Sequence, residues 1–198
     1  MKNSAHRQEL IHILQMAYSG EKAAALAYAG HWRSARNLEE RSSIEQIERD
    51  EWEHREIVGK MLDELGARPQ IWREVLMSTI GSAVLLACFI SGWFFPMYFA
   101  GLLENQNVDE YARAAEHAKA AGEEQLIGEL EILSGVEQLH EAYFRNKVEE
   151  HRWTSLIAFV FRWGAKPTVQ TRPGTVSRNL VLEPAKQSAT VAYSSTEH

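Results

Sequence analysis

Residues 42–65, SSIEQIERDEWEHREIVGKMLDEL, have the pattern of an amphipathic helix with two ionisable side chains on its apolar face. Apolar residues recur there at spacings of three and four, starting at Ile44 and ending at Leu65, as on one face of a helix. Glu51 and His54 occupy consecutive positions of the same face. A buried carboxylate is costly unless positive charge balances it. This stretch therefore predicts a helical protein with charged groups inside it.

Three other stretches show the same helical spacing of apolar residues, so four long helices are expected. They are residues 8–36, 96–121 and 121–152. The helix at 42–65 is expected to have Ser42 or Ser43 as its N-cap and to end before Gly66 and Pro69. Glutamate supplies 24 of the 27 acidic residues, and only 5 residues are proline, which also favours helices. Four helices of this length predict an all-α four-helix bundle.

The charged interruption of the apolar face is repeated along the chain. The helix predicted at 121–152 carries a second Glu-x-x-His on its apolar face, and the helices at 8–36 and 96–121 carry one inward glutamate each. The six residues are Glu21, Glu51, His54, Glu104, Glu137 and His140. In chain order they form a single Glu followed by Glu-x-x-His, twice. A further Glu-x-x-His, Glu9 with His12, lies beside the apolar face and is expected to be solvated.

Two divalent metal ions would supply the positive charge that four inward carboxylates need. The spacing i, i+3 separates two side chains by about 60° around a helix, so both members of each Glu-x-x-His reach the bundle centre. One Glu from each of two helices plus Glu-x-x-His from each of two others is the ligand set of ferritin-like di-iron and di-manganese bundles. With Cys88 as the only cysteine, any metal must be held by Glu, Asp or His. The alternative is that the six residues are exposed on helices of a different phase.

Several neighbouring residues are candidates for supporting roles. Asp50 is predicted to hydrogen-bond a ligating histidine of the opposing helix and so orient its ring, with a surface acid as the alternative. Four tyrosines near the proposed ligands are either donors to them or packed aromatics: Tyr18, Tyr28, Tyr111 and Tyr143. Three histidines are expected at the surface or at helix ends: His31, His117 and His151. Cys88 is expected to be a small core residue.

An uncharged, largely apolar run, VLMSTIGSAVLLACFISGWFF, occupies residues 75–95. It is long enough to span a bilayer, but a crossing would place the first two long helices and the last two on opposite sides and prevent the metal site from assembling. A buried connecting helix, and a helix at the membrane interface or beside a lipophilic substrate channel, remain open. A second apolar segment follows at residues 156–163. The expected fold is thus a ferritin-like four-helix bundle with an additional apolar connecting helix and a C-terminal apolar helix.

Charge and composition limit the partners and the domain organisation. The net charge of −6, with mixed signs along the chain, argues against nucleic acid as a partner. No secretory signal is evident at the N-terminus, so a cytoplasmic location is expected, with peripheral contact at the inner membrane through residues 75–95 as an extension. Residues 1–164 are expected to form the bundle, and the Pro/Ser/Thr-rich residues 165–198 a flexible tail. A homo-oligomer remains open.

Four parts of the chain resemble the bacterial demethoxyubiquinone hydroxylase family. They are YSGEKAAALAYAG at 18–30, DEWEH at 50–54 running into LGARP at 65–69, the uncharged segment before Glu104, and Glu137-x-x-His140. The resemblance covers about residues 8–163. The chain departs from the family at Gln15–Tyr18, at Glu110, where the family has histidine, and at Gly135–Val136, where acidic residues are usual. This combination is typical of a divergent paralogue.

The resemblance implies a di-iron monooxygenase that uses O₂ to hydroxylate the ring of a demethoxyubiquinone-type quinone. It implies two iron ions as cofactors, with manganese as the alternative metal, and NADH as the electron donor. The lipophilic substrate would reach the site through residues 75–95. Two other functions stay open: another ferritin-like di-metal oxidase or hydroxylase with a different substrate, and a non-enzymatic metal-binding or lipid-binding bundle.

Overall fold

The structure, a computed structural model, describes residues 2–164, and the predicted tail at 165–198 lies outside the described residues. The described part contains six α-helices and no strand, which confirms the all-α fold class. The helices are α1 (Lys2–Ser34), α2 (Leu38–Glu64), α3 (Ile71–Cys88), α4 (Phe94–Ala121), α5 (Ile127–Val148) and α6 (Thr154–Phe161). A 3-10 turn at Glu124–Leu126 precedes α5. α3 and α6 are the two additional apolar helices.

The start of α2 differs from the sequence-based prediction. The helix begins four residues before Ser42, and Asn37 is its N-cap. The Asn37 side chain accepts hydrogen bonds from the backbone N–H groups of Glu39 and Glu40. Ser43 lies inside the helix, where its hydroxyl donates to the backbone carbonyl of Glu39 one turn earlier. The prediction of Ser42 or Ser43 as N-cap was wrong because Asn37, an equally favourable capping residue, precedes them where the helix begins.

The four long helices α1, α2, α4 and α5 enclose two apolar clusters that are separated along every helix by charged residues. On α1 the first cluster includes Leu10 and Leu14, and the second begins at Ala24. The first cluster also takes side chains from the end of α2, the end of α4 and the start of α5, whereas the second takes them from the opposite ends of the same three helices. The six predicted ligands occupy the layer between the clusters.

The apolar helix α3 packs on α1 and leaves most of its side chains exposed. Only Gly81 and Cys88 of its 18 residues are buried, which excludes the buried connecting helix, one of the two alternatives that the sequence left open. A Cβ added at Gly81 would lie 2.8 Å from Cα of Ala23, and one added at Gly30 would lie 2.3 Å from the carbonyl oxygen of Leu85. Glycine therefore permits the close approach of the two helices. The start of α3 is also tied to α2, where Arg55 forms a two-pronged ion pair with Glu74.

Large exposed apolar side chains are concentrated in two parts of the described chain. In and after α3 they are Ile71, Trp72, Val75, Leu76, Ile80, Val84, Leu86, Phe89 and Ile90. On and before α6 they are Trp153, Leu156, Phe159, Val160 and Phe161. Within residues 2–164, α3 alone is long and apolar enough to cross a membrane by length and composition. Length and composition alone are weak evidence for a crossing.

Candidate metal centre

The layer between the apolar clusters brings the six predicted side chains together. α1 supplies Glu21, α2 supplies Glu51 and His54, α4 supplies Glu104, and α5 supplies the remaining pair. All six are buried, and Glu51, Glu104 and Glu137 are fully buried. Each carboxylate stands where the helical period places a core residue, so the helices that pack the two apolar clusters also carry these groups inward.

The six side chains form two adjoining groups, each with four potential ligand atoms within 4.8 Å of one another. The Glu21–His54 position consists of Glu21, Glu51, His54 and Glu137, and the Glu104–His140 position consists of Glu51, Glu104, Glu137 and His140. Glu51 and Glu137 belong to both positions. The two histidine rings stack at a centroid distance of 5.9 Å. The arrangement can therefore hold two cations side by side with two carboxylates in common.

Several buried polar atoms of this layer have no hydrogen-bond partner among the described residues. They are Oε2 of Glu21, both carboxylate oxygens of Glu51 and Glu137, and Nδ1 of His54 and His140. His54 Nδ1 lies 2.9 Å from Glu137 Oε1, but the two atoms are not in hydrogen-bond geometry. Unsatisfied buried polar atoms are rare because each costs free energy. Oxygen and imidazole nitrogen donors with a formal charge of −4 fit two divalent cations such as Fe²⁺ or Mn²⁺.

The pKa values of the site show how strongly the charges interact. Burial raises the pKa of Glu21, Glu51 and Glu104, and the charge of Glu137 raises each further. Burial also opposes ionisation of Glu137, but the nearby imidazoles of His140 and His54 outweigh it and hold its pKa at about 2. For His140, burial is outweighed by Asp50 and Glu137, which raise its pKa to about 9. Cations bound here would displace protons from these groups.

Side chains beside the potential ligands form hydrogen bonds with them and so orient them. His140 Nε2 lies 3.1 Å from Asp50 Oδ2, which confirms the predicted contact between Asp50 and a histidine of the opposing helix. Since a carboxylate only accepts, the Nε2–H donates and Nδ1 is directed to the cluster. The hydroxyl of Tyr28 donates to Glu104, and that of Tyr111 donates to Glu21.

Sequence reasoning missed one donor and left the roles of four tyrosines open. Asn107 Nδ2 donates to Glu104 Oε2 over 3.2 Å, and its position one turn after Glu104 was the available signal. Tyr28 and Tyr111 are donors to ligands. Tyr18 instead packs under the guanidinium of Arg55, and the Tyr143 hydroxyl has no partner among the described residues.

His31 lies in the last turn of α1, as expected for a helix-end histidine, but it is not at the surface. It is 4% exposed, and its ring stacks on Tyr28 and Phe144. Burial lowers its pKa to about 4, so the ring is neutral at physiological pH. Cys88 is buried as expected, and burial raises the pKa of its thiol to about 11. A buried thiol of this kind is a packing residue.

A cavity of about 710 Å³ lies between α1, α3 and α4. Most of its wall is apolar, with side chains such as Met77, Val84 and Phe99. Of the four cluster carboxylates in the described chain, Glu21 is the one that lines it. Glu110 also lines the cavity, where burial and the charge of Glu21 raise its pKa to about 7. The cavity thus lies between α3 and the edge of the charged layer.

Comparisons of the chain with protein-family models, with curated proteins and with solved structures find no match. The likeness to the hydroxylase family thus remains a prediction from the sequence. The case for a metal site is carried by the geometry: four helices, two adjoining four-ligand groups, and buried atoms without hydrogen-bond partners.

Proposed function

We propose that this chain is a ferritin-like di-iron monooxygenase that uses O₂ to hydroxylate a lipophilic substrate, with a demethoxyubiquinone-type ring as the leading candidate. The observation that carries the proposal is the pair of four-ligand groups that share Glu51 and Glu137. Two iron ions bound there would supply the redox chemistry that activates O₂, with manganese as the alternative metal. NADH is the proposed source of electrons.

The protein's own residues would then have distinct tasks. Glu51 and Glu137 hold both positions together because they belong to both. Tyr28 and Tyr111 fix the carboxylates of Glu104 and Glu21 by donating hydrogen bonds to them. The apolar clusters above and below the layer exclude water, which strengthens every electrostatic interaction inside it.

The cavity beside Glu21 supports a lipophilic substrate. Its largely apolar wall can bury a ring and part of an aliphatic tail, while Glu21 connects the cavity to the charged layer. Glu110 adds a carboxyl group whose pKa of about 7 lets it hold a proton at the cavity wall near neutral pH. A histidine stands at this position in the family that the chain resembles, and Glu110 keeps the ability to exchange a proton there.

The exposed apolar side chains of α3 and α6 support peripheral contact with a membrane surface. Ile90 and Phe159 are each 88% exposed, and a concentration of large exposed apolar side chains favours contact with apolar partners. A crossing by α3 is disfavoured because α1 and α2 would be separated from α4 and α5, with which they share the charged layer. A lipophilic substrate could then pass from the bilayer along α3 into the cavity.

The test is mass spectrometry of a demethoxyubiquinone analogue after incubation with iron-loaded protein, NADH and ¹⁸O₂. We expect a product that contains one labelled oxygen, and no product from Glu104→Ala. Glu116→Ala, which removes an exposed glutamate from the same helix, should retain activity. If no product forms while two irons bind and O₂ reoxidises them, the quinone is not the substrate and another substrate must be sought. Absence of bound metal would favour a lipid-binding or structural bundle.

A further inference from the structure

The chain repeats its ligand pattern, so each half of the site can be compared with the other. Glu21 and Glu104 are equivalent, as are Glu51-x-x-His54 and Glu137-x-x-His140. The equivalence extends to the tyrosines: Tyr28 and Tyr111 each lie seven residues after the single glutamate of their own helix and donate to the glutamate of the other. Against this two-fold pattern, any difference between the halves is informative.

The two histidines differ in what holds them. The Nε2–H of His140 donates to Asp50, the residue immediately before Glu51. The equivalent residue before Glu137 is Val136, whose side chain cannot accept a hydrogen bond. Within residues 2–164, no side chain or backbone oxygen accepts a hydrogen bond from Nε2 of His54, and its Nδ1 lies 2.9 Å from Glu137 Oε1. The ring of His140 is therefore held in orientation and tautomer, whereas the ring of His54 lacks this restraint.

The two single glutamates differ in the same way as the histidines, because Glu104 accepts more hydrogen bonds than Glu21. Glu104 accepts hydrogen bonds on both oxygens, from Tyr28 on Oε1 and from Asn107 on Oε2. Glu21 accepts one from Tyr111 on Oε1, and its Oε2 is buried with no partner in the described chain. The residue of α1 that corresponds to Asn107 is Ala24, which offers no donor. Glu21 also lines the large cavity.

We infer that the two metal positions are unequal: the Glu104–His140 position takes a divalent cation first and tightly, whereas the Glu21–His54 position is weaker and faces the substrate cavity. This inference rests on the proposed metal centre. Ligands that are already oriented lose less conformational freedom when they bind a cation. Asp50 and Asn107, which orient His140 and Glu104, therefore favour binding at the Glu104–His140 position. The less restrained Glu21 can move when substrate occupies the cavity beside it. Asp50 and Asn107 act as positioning residues.

The inference is tested by adding Co²⁺ to the metal-free full-length protein under anaerobic conditions and following the visible absorption of the bound ion. We expect two binding steps whose dissociation constants differ by about tenfold or more. Asp50→Ala, which removes the acceptor for the His140 Nε2–H, should weaken the first step by about 10- to 100-fold and bring the two steps together. Asp63→Ala, which changes an exposed aspartate of the same helix, is the matched control and should leave both steps unchanged.

Three further variants assign the steps to positions. Val136→Asp, which restores the missing acceptor beside His54, should strengthen the second step. Glu21→Gln should leave one tight step, and Glu104→Gln should leave one weak step. Equal affinities in the unchanged protein, or identical titrations of Asp50→Ala and Asp63→Ala, would overturn the inference while leaving the metal centre in place. Failure of the unchanged protein to bind any Co²⁺ would overturn the proposed function itself.

Discussion

The centre of the bundle buries charged side chains, whereas the outer face of α3 exposes apolar ones. Each is the reverse of the usual distribution in a globular protein. In the centre, Glu51 and Glu104 are fully buried, whereas on and after α3 Ile71 is 80% and Ile90 is 88% exposed. Both arrangements are unfavourable for an isolated chain in water, since one buries charge and the other exposes apolar surface. Under the proposed function, each region would be balanced by a partner of opposite character: cations inside, and an apolar ligand or bilayer outside.

The largest effect is expected from the ligands shared by both positions in the centre. Glu51→Gln keeps the size of the side chain but removes a charge from both four-ligand groups. We expect the bound metal to fall from two ions per chain to nearly none, as measured by atomic emission on the purified protein. Glu53→Gln, an exposed neighbour on α2, should bind metal normally. Retention of two ions by Glu51→Gln would show that the central cluster is not the metal site.

Removal of metal should make the stability of the centre depend on pH. The pKa of His140 in the folded protein is about 9, above its ordinary value. The contribution of its protonated ring to the free energy of unfolding is therefore complete below about pH 6.5 and is lost as the pH rises through 9. The expected loss is on the order of 3 kcal/mol. The raised pKa values of Glu51 and Glu104 act in the same direction, since ionisation of these groups destabilises the metal-free fold.

Urea denaturation of metal-free protein at several pH values measures this loss. Metal-loaded protein should show the opposite trend over the same interval, because deprotonated ligands bind cations more tightly. His140→Gln should flatten the profile of the metal-free protein. A metal-free protein whose stability is unchanged between pH 6.5 and 9 would contradict the charge balance described for the centre.

A smaller effect is expected where α3 meets α1. Gly30→Ala would place a Cβ 2.3 Å from the carbonyl oxygen of Leu85, so the two helices must separate. We expect a loss of about 1–3 kcal/mol in the free energy of unfolding, measured by urea denaturation. Gly20→Ala on the same helix meets nothing within 4 Å and should stabilise the protein by about 0.5–1 kcal/mol. If the two variants behave alike, α3 does not pack on α1 as described.

The smallest effect on the free energy of unfolding is expected at the exposed apolar side chains in and after α3. Substitution there should instead affect binding to phospholipid vesicles. Ile90→Ser changes an exposed side chain and should alter the free energy of unfolding by less than about 0.5 kcal/mol. It should reduce co-sedimentation with anionic phospholipid vesicles if this face contacts a membrane. Ile132→Ser, at a 66% exposed isoleucine of α5, is the matched control. Equal reduction in both variants would indicate a general loss of hydrophobicity.

The six side chains of the central layer could be predicted from the sequence, because the pattern that identifies them lies within each helix. The spacing of three and four residues identifies the buried face of α2 and α5, and the charged residues on that face need compensation wherever the helices pack. The contact of Asp50 with a histidine was also predictable, since its position before a ligand places it near the opposing helix. The repeated order along the chain made the grouping of the six side chains a specific prediction.

Other features depended on contacts between distant segments and could not be predicted in this way. α3 is largely exposed because, among the described helices, it packs mainly on α1, and no periodicity within residues 75–95 encodes this choice of neighbour. Asn37 caps α2 because the chain breaks after Ser34, ahead of the serines that the pattern favoured. The burial of His31 arises from Phe144, which is distant in the sequence.

The sequence by itself thus determined which residues face inward and which type of ligand they can hold, because helical period and charge are properties of each segment. Only the tertiary structure decided which of these residues are supported by neighbours and which face a cavity. Tyr28 donates to Glu104 and Tyr111 donates to Glu21 across the bundle, while Glu21 alone among the four cluster carboxylates of the described chain lines the cavity. These relations depend on distances between helices, which no single segment specifies.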